Sequence, residues 1–136
     1  MTVKVKNHKK KAGLESKEKS AEIATYYGFE FVPAPLVTKA DIHQTKKDLE
    51  IDVTKQHDDD KHITVYAEEK VALLREYLEK ELHAKPQPVM LYYEGHPLRE
   101  GEAKKKDAYT TFHMDILGTT KSIGEATLIK TSLEIL

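Results

Sequence analysis

The chain contains no cysteine, six glycines and five prolines in 136 residues. Without cysteine, neither a disulfide framework nor a thiolate metal site can form. No apolar run approaches the length needed to cross a membrane, and the lysine-rich first twenty residues lack the apolar segment of a secretion signal. We therefore expect a cytoplasmic protein with no membrane partner.

The chain also lacks an excess of either positive or negative charge. Charged residues make up 33% of the chain, but the formal net charge is only −1. This balance argues against a surface shaped as a whole for nucleic acid, although local patches remain compatible with it. The apolar fraction of 39% allows a modest core, and the length fits one domain or a piece of a larger one.

The N-terminal part of the chain changes character near Ser16. Residues 1–15 are polar and basic, which predicts a flexible, solvated arm. A helical pattern starts at Ser16 or Ser20 and should stop at Gly28, since glycine tolerates the left-handed conformation that ends helices. Residues 29–32 then read as a strand, and the prolines that follow restrict it to a sheet edge or an interface.

The rest of the chain predicts an α+β fold. Residues 39–62 are too polar for a core element, apart from a short piece around Leu49, and residues 63–66 suggest a short strand. Apolar residues recur at helical spacing in two segments, with stripes at Val71, Leu74, Leu78 and Leu82 and at Ala126, Ile129, Leu133 and Leu136. Residues 89–99 and 109–118 should form an antiparallel hairpin in a sheet flanked by helices, with helices 71–83 and 123–136 covering one face.

A cluster of possible metal ligands occupies residues 57–62, which contribute two histidines and three aspartates. A metal site needs ligands held by several elements and supported by a second layer of hydrogen bonds. Here every candidate lies in one polar stretch with no apolar residue to fix it. We interpret the segment as a solvated acidic loop and expect no protein-bound structural metal.

Two stretches carry a family resemblance: YYGFEFVPAP, and PQPVMLYYEGHPLRE followed by FHMDILG. They resemble the first two motifs of class II aminoacyl-tRNA synthetases, and within that class the histidyl type. The first motif is a helix ending in Tyr-Gly-Phe and a strand ending on an interface proline, matched at Tyr27 to Phe29 and at Pro35. The second is an antiparallel strand pair whose first strand ends in Phe-Arg-x-Glu, with Leu98 here replacing the phenylalanine. The resemblance covers residues 20–136 and would make 16–136 the N-terminal part of a catalytic domain.

The resemblance implies a histidine–tRNA ligase, which activates histidine with ATP bound to Mg²⁺ and passes it to tRNA. Arg99 would be the catalytic residue, because its planar guanidinium can hold both the α-phosphate and the substrate carboxylate. Glu102 and Phe112 would join Arg99 in binding ATP, with Phe112 supporting the adenine ring. Glu68 and Asp115 would bind the amino acid.

The resemblance also implies two kinds of macromolecular contact. The loop 100–108 carries Lys104, Lys105 and Lys106, which are by default a solvated charge cluster but would meet the tRNA acceptor end in the family. A homodimer would form through the first motif, where Phe31 and Pro35 would lie in the interface.

Departures from the family pattern keep other functions open. Gly101 stands where the family has a glutamate, so Glu100 or Glu102 must substitute for it, and the six glycines cannot form a Gly-x-Gly-x-x-Arg third motif. We expect this chain alone to be inactive. The alternatives are a non-catalytic paralogue that regulates histidine biosynthesis and a dimerisation or tRNA-contact module. Retention of Arg99 favours the ligase, whereas the missing third motif favours the module.

Overall fold

The computed structural model describes residues 2–6, 10–49, 67–95, 100–101 and 109–136. Its strands are β1 (Thr2–Lys6), β2 (Glu30–Phe31), β3 (Val89–Glu94) and β4 (Tyr109–Leu117), and its α-helices are α1 (Lys10–Tyr26), α2 (Lys39–Leu49), α3 (Ala67–Glu79) and α4 (Ser122–Ile135). A 3₁₀ turn at Leu82–Ala84 follows α3. The chain divides into two compact units, residues 1–34, 83–96 and 105–136, and residues 35–82 and 97–104.

The first unit contains a four-stranded sheet in the order β1-β4-β3-β2. Strands β3 and β4 pair antiparallel, with Val89 opposite Leu117 and Tyr93 opposite His113. The predicted hairpin and the α+β class are confirmed. Strand β2 pairs in parallel with β3 and lies at the sheet edge, as the neighbouring prolines predict.

The core of the first unit lies between the sheet and two helices, α1 and α4. Its buried members are Ala24, Phe29, Tyr92, Phe112 and Met114, against which Leu128 and Ile135 of α4 also pack. The rings of Tyr92 and Phe112 are stacked with their centroids 5.2 Å apart. Aromatic pairs of this kind add about 0.5–1.5 kcal/mol to what burial alone contributes. The helical layer on the sheet thus includes α1, which begins well before the predicted start.

The C-terminus of α1 is set by Gly28, as predicted. Gly28 has φ of +91°. Its amide donates to the Thr25 carbonyl at 3.0 Å, and the Phe29 amide donates to the Ala24 carbonyl at 3.0 Å. This pair of bonds is the Schellman arrangement, which satisfies the last carbonyls of a helix and needs a left-handed residue at this position.

The N-terminal segment differs from the flexible arm expected for residues 1–15. Thr2–Lys6 is β1, paired antiparallel with β4 in a register that places Val3 opposite Phe112. Helix α1 begins at Lys10, so neither Ser16 nor Ser20 caps it. The alternation of Val3 and Val5 with lysines favours a strand, but the basic composition conceals this local signal.

The second unit contains α2, so the prediction that residues 39–49 are too polar for a core element is wrong. A reciprocal capping arrangement starts this helix: the Asp41 amide donates to Thr38 Oγ1 at 3.2 Å, and the Thr38 amide donates to Asp41 Oδ2 at 2.8 Å. Within residues 39–48 of α2, the buried side chains are polar, since Asp41 is 3% exposed and Thr45 is 1% exposed. Thr45 satisfies its hydroxyl within the helix by donating to the Asp41 carbonyl. A search for apolar periodicity therefore cannot find this helix.

An arginine of α3 ties that helix to the start of α2. Arg75 Nε lies 3.1 Å from Asp41 Oδ1, and Arg75 Nη2 donates to the Leu36 carbonyl at 2.9 Å. Burial alone would raise the pKa of the Asp41 carboxyl, but its hydrogen bonds from Arg75 and Thr38 outweigh burial and lower that pKa below its ordinary value. Asp41 therefore remains charged although it is buried.

The predicted apolar stripes lie on helices, but they do not mark the buried faces. In α3, Leu74 and Leu78 are 47% and 59% exposed, whereas Ala72 and Leu73 are buried together with two glutamates. In α4, Leu133 is 70% exposed while Thr131 and Ser132 are buried. Both helices were predicted at about the right place and assigned the wrong inner face.

Several sequence predictions fall outside the described residues. They concern the strand at 63–66, the acidic segment 57–62, and the end of the first hairpin strand at 96–99. None of the described helices is both long enough and apolar enough to cross a membrane.

We expect Arg75→Lys to lower the free energy of unfolding by about 1–3 kcal/mol. Lysine keeps the charge but cannot bond Asp41 and the Leu36 carbonyl at once. Urea denaturation at pH 7 measures the change. Lys80→Ala is the control, because Lys80 makes an exposed pair with Glu76 at 2.6 Å that should contribute less than about 0.5 kcal/mol. Equal losses in the two variants would contradict the role given to Arg75.

Candidate functional site

The β3–β4 hairpin has two faces of different chemistry. Side chains alternate across a strand, so residues at even positions of β4 share one face and those at odd positions share the other. Phe112 and Met114 point to the core with α1 and α4. The opposite face carries Tyr93 of β3 with Thr111, His113 and Asp115 of β4, and we refer to these four residues as the polar face.

The polar face is compact. The rings of Tyr93 and His113 form a cross-strand pair, stacked at 4.3 Å between centroids with 9° between their planes. Tyr93, Thr111 and His113 are buried, and Asp115 is half-buried. A carboxylate, an imidazole and two hydroxyls thus lie on neighbouring strand positions. Such groups can bind a small polar molecule with several hydrogen-bonding atoms.

Two of the predicted site residues, Phe112 and Asp115, are both on β4 but lie on opposite faces. Phe112 is 2% exposed and stacked on Tyr92, so its ring is committed to the core. This position does not fit the predicted stacking of adenine on Phe112. Phe112 and Asp115 are three positions apart. Residues an odd number of positions apart point to opposite faces of any strand, so the sequence alone already separates them.

Other predicted site residues lie outside the described part of the chain: Arg99, Glu102, Lys104, Lys105 and Lys106. Glu100, one of two candidates for the family glutamate, is described. Its amide donates to the Val37 carbonyl at 2.8 Å, and its Oε2 accepts from the Lys39 amide at 3.1 Å. Glu100 therefore caps the start of α2, which leaves Glu102 as the candidate for the other role.

The predicted amino-acid ligand Glu68 belongs to the second unit. It lies in the first turn of α3 and is fully buried. Its neighbour Glu69 is 6% exposed. Burial raises the pKa of Glu69 to about 7, and the charge of Lys70 offsets this only in part. A carboxyl that titrates near neutrality is typical of functional sites, and its raised pKa becomes evident only once the fold shows its burial.

The two predicted interface residues differ in exposure. Phe31 is 62% exposed and forms an edge contact with Tyr92, with ring centroids 5.6 Å apart. Pro35 is fully buried, so it cannot contact a second chain in this structure. Among the described residues, no group of three or more histidine, aspartate or glutamate side chains is arranged to hold a metal ion.

Comparison with known proteins identifies relatives of this chain. No protein-family model and no solved structure matches it. The histidine–tRNA ligase of Desulfitobacterium hafniense is 27% identical over 121 residues, which are 82% of this chain and 28% of that ligase, in each of two strains. The histidine–tRNA ligase of Desulforamulus reducens is 33% identical over 79 residues, or 56% of this chain and 19% of the ligase.

The chain is similar in sequence to part of these histidine–tRNA ligases. It spans a little over a quarter of the length of the D. hafniense ligase. The similarity agrees with the histidyl type of the resemblance, but it shows neither of the two motifs and assigns no role to any single residue.

We expect the stability of the chain to fall as the pH rises from about 4.5 to about 7 because of Glu69. Its folded pKa is raised above the ordinary 4.5, so over this range the unfolded chain gives up a proton that the folded chain keeps. The full effect is about 3 kcal/mol at most. Urea denaturation at pH 5 and pH 8 measures it.

Glu69→Gln should remove most of this pH dependence, since the amide stays neutral throughout. The matched control is Glu18→Gln, at an exposed position of α1, which should leave the pH dependence unchanged. An unaltered decline in Glu69→Gln would show that other groups cause it.

Proposed function

We propose that the chain is the part of a histidine–tRNA ligase that binds the amino acid and ATP, acting in the cytoplasm with tRNA as acceptor. The observation that carries this proposal is the 82% of the chain that aligns with such a ligase. It is supported by the β3–β4 hairpin, which forms where the second family motif predicts a strand pair.

The proposed roles combine the described residues with the loop beyond β3. Arg99 holds the α-phosphate and the substrate carboxylate through its two-pronged guanidinium, which stabilises the charge that develops as pyrophosphate leaves. Glu102 contributes to the binding of ATP, which enters as its Mg²⁺ complex. Asp115 accepts hydrogen bonds from the amino acid. Phe112 has no role in this proposal, because its ring lies in the core.

Two features support Asp115 as a ligand for the amino acid. It is half-buried, so a hydrogen bond to a ligand there competes less with water than one at the surface. It also shares the polar face with His113 and Tyr93, which provide a rigid stacked wall beside it. Preorganised neighbours of this kind lower the cost of orienting a ligand.

A second candidate function is histidine binding without activation, as in a regulatory paralogue. The observation that favours it is the engagement of Glu100 at the start of α2, together with Gly101 at the family's glutamate position. Neither Glu100 nor Gly101 then provides a carboxylate for ATP, and Glu102 is the remaining candidate. A protein extended to include the third motif that binds histidine but does not exchange ATP and pyrophosphate would fit this candidate.

We expect histidine to bind the chain, and Asp115→Asn to weaken binding about ten- to a hundredfold, the value of one or two hydrogen bonds to a charged group. The amide keeps the size of the side chain but loses its charge. Isothermal titration with histidine measures binding, and leucine serves as the comparison ligand. The control is Asp48→Asn, at an exposed position of α2, which should bind as the unaltered chain does.

Histidine-dependent exchange of ATP and pyrophosphate, measured in a protein extended to include the third motif, separates the two candidates. Exchange that disappears in Arg99→Lys would support the ligase, since lysine keeps the charge without the fork. Binding without exchange would support the regulatory candidate. If neither histidine binding nor exchange is detected, both are wrong.

We expect replacement of Lys104, Lys105 and Lys106 by alanine to weaken tRNA binding and to flatten its salt dependence. Each lysine that neutralises a phosphate adds about one unit to the slope of log affinity against log salt concentration, so its removal makes the slope shallower by that amount. Filter binding with tRNA at several salt concentrations gives the slope. The control replaces Lys17, Lys19 and Lys46, which lie on α1 and α2. If both triple variants flatten the slope equally, the effect is not specific to the loop.

A further inference from the structure

His113 lies in the middle of the polar face. On β4 it stands two positions from Thr111 and two from Asp115, and residues two apart on a strand share a face at a separation of about 6.5 Å. A hydroxyl and a carboxylate therefore flank its imidazole along the strand. Across the strand pair its ring is stacked on Tyr93, with 4.3 Å between the ring centroids. His113 is 2% exposed, so the imidazole fills the centre of this face.

The hydroxyl of Thr111 has no hydrogen-bond partner among the described residues, although the side chain is fully buried. Buried hydroxyls are normally hydrogen-bonded, and one that is not destabilises the fold. The residue across from Thr111 is Gly95, whose amide donates to the Thr111 carbonyl at 2.9 Å. Glycine brings no side chain to this position, so the residue opposite offers the hydroxyl no partner.

Other buried threonines of the described chain differ from Thr111 in this respect. Thr45 donates to the Asp41 carbonyl and Thr131 donates to the Thr127 carbonyl, each at 2.8 Å. Both lie on helices, where the carbonyl four residues earlier is within reach of a hydroxyl. A strand offers no such carbonyl. The unused hydroxyl of Thr111 therefore points to a hydrogen-bonding group that a ligand supplies.

The groups around the His113 ring are those that recognise an imidazole. The face of Tyr93 stacks on a planar ring, and the carboxylate of Asp115 can accept a hydrogen bond from a ring N–H. Leu91, which lies opposite Asp115 and is 2% exposed, adds an apolar side. Free histidine carries the same ring together with an ammonium and a carboxylate, and either of these can bond the hydroxyl of Thr111.

We propose that His113 occupies the position that the ring of an imidazole-bearing ligand takes against Tyr93, so that a ligand binds only when His113 moves aside. The wall beside Asp115 then has one permanent ring, that of Tyr93, and one replaceable ring, that of His113. His113 thereby lowers the affinity of the polar face, because a site that is open only part of the time binds in proportion to that fraction. Histidine as the ligand rests on the proposed function, whereas the ring position can be tested without it.

The first test removes the ring of His113 and supplies it again from solution. His113→Gly deletes a side chain equivalent to 4-methylimidazole, which is therefore the matched probe. We expect 4-methylimidazole to bind this variant in isothermal titration and to raise its thermal midpoint, and to do neither with the unaltered chain. His43→Gly, at an exposed position of α2, is the control and should gain no binding.

A second variant covers the case in which glycine weakens the strand too much for folding. His113→Ala keeps the first carbon of the side chain, so free imidazole is its matched probe and should bind it. Circular dichroism verifies that each variant is folded. Toluene distinguishes recognition from simple filling of a cavity, and we expect it to bind His113→Gly at least about tenfold more weakly than 4-methylimidazole does. Equal affinities for the two rings would overturn the proposal.

The second test measures the affinity for histidine by isothermal titration. If the ring of His113 leaves its position for about one to ten per cent of the time, His113→Gly should bind histidine about ten- to a hundredfold more tightly than the unaltered chain. Met114→Ala is the control, because it removes the neighbouring side chain on the core face and should not tighten binding. Equal or weaker binding in His113→Gly would show that the ring is part of the binding wall, and the proposal would be wrong.

The third test concerns the hydroxyl of Thr111. Thr111→Val keeps the shape of the side chain, and because the hydroxyl has no partner in the described fold, the urea midpoint should stay the same or rise. Thr45→Val is the matched control and should lower the midpoint, since it removes a hydrogen bond that is made. Added to His113→Gly, Thr111→Val should weaken histidine binding about tenfold and leave 4-methylimidazole binding unchanged. Equal losses of stability in the two valine variants would contradict the role given to Thr111.

The proposal and the proposed function fail in different ways. Binding of 4-methylimidazole to His113→Gly without any binding of histidine would support the ring position and contradict histidine as the ligand. Histidine binding to the unaltered chain that His113→Gly does not tighten would support the proposed function and overturn the replaceable ring. Folded His113→Gly and His113→Ala variants that bind neither 4-methylimidazole nor imidazole would also overturn it.

Discussion

The pairing of β3 with β4 is the constraint on which the first unit depends. The register places Tyr92 opposite Met114 and Tyr93 opposite His113, so one strand step separates the apolar core from the polar face. A shift of one residue would exchange the two faces, bringing His113 to the helices and Met114 to the other side. The same backbone hydrogen bonds between β3 and β4 therefore fix both the core and the positions of the residues on the polar face.

Two buried carboxyl groups of the second unit, those of Asp41 and Glu69, have pKa values shifted in opposite directions. Asp41 receives hydrogen bonds from Arg75 and Thr38, and its pKa is lowered although it is buried. Glu69 has only the charge of Lys70 to offset its burial, and its pKa is raised to about 7. The first arrangement joins two helices. The second leaves a carboxyl group that titrates near neutral pH, next in sequence to Glu68.

The sequence predicted the elements whose signals are local and strong. Gly28 as a helix stop, the hairpin and the helix at 123–136 were all correctly predicted. The sequence also contains the capping pair of Thr38 and Asp41, which signals a helix start. Helix α2 was nevertheless not predicted, because its buried residues Asp41 and Thr45 are polar. The inner faces of α3 and α4 were assigned by apolar periodicity, and that rule fails where hydroxyls such as those of Thr131 and Ser132 satisfy themselves within the helix. In the candidate site, counting strand parity would have separated Phe112 from Asp115, whereas the burial of Glu69 depends on tertiary packing that no local pattern shows.

The position of β1 in the sheet has a consequence for the order of folding. Lys6 pairs with Tyr109, near the opposite end of the chain, whereas β3 and β4 are neighbours in sequence. Closing a long loop costs more chain entropy than closing a short one, so the hairpin can form early and β1 can join only after most of the chain is in place. Until then, the outer edge of β4 presents unpaired amides and carbonyls, and a nascent chain is at that stage most exposed to pairing with the wrong strand.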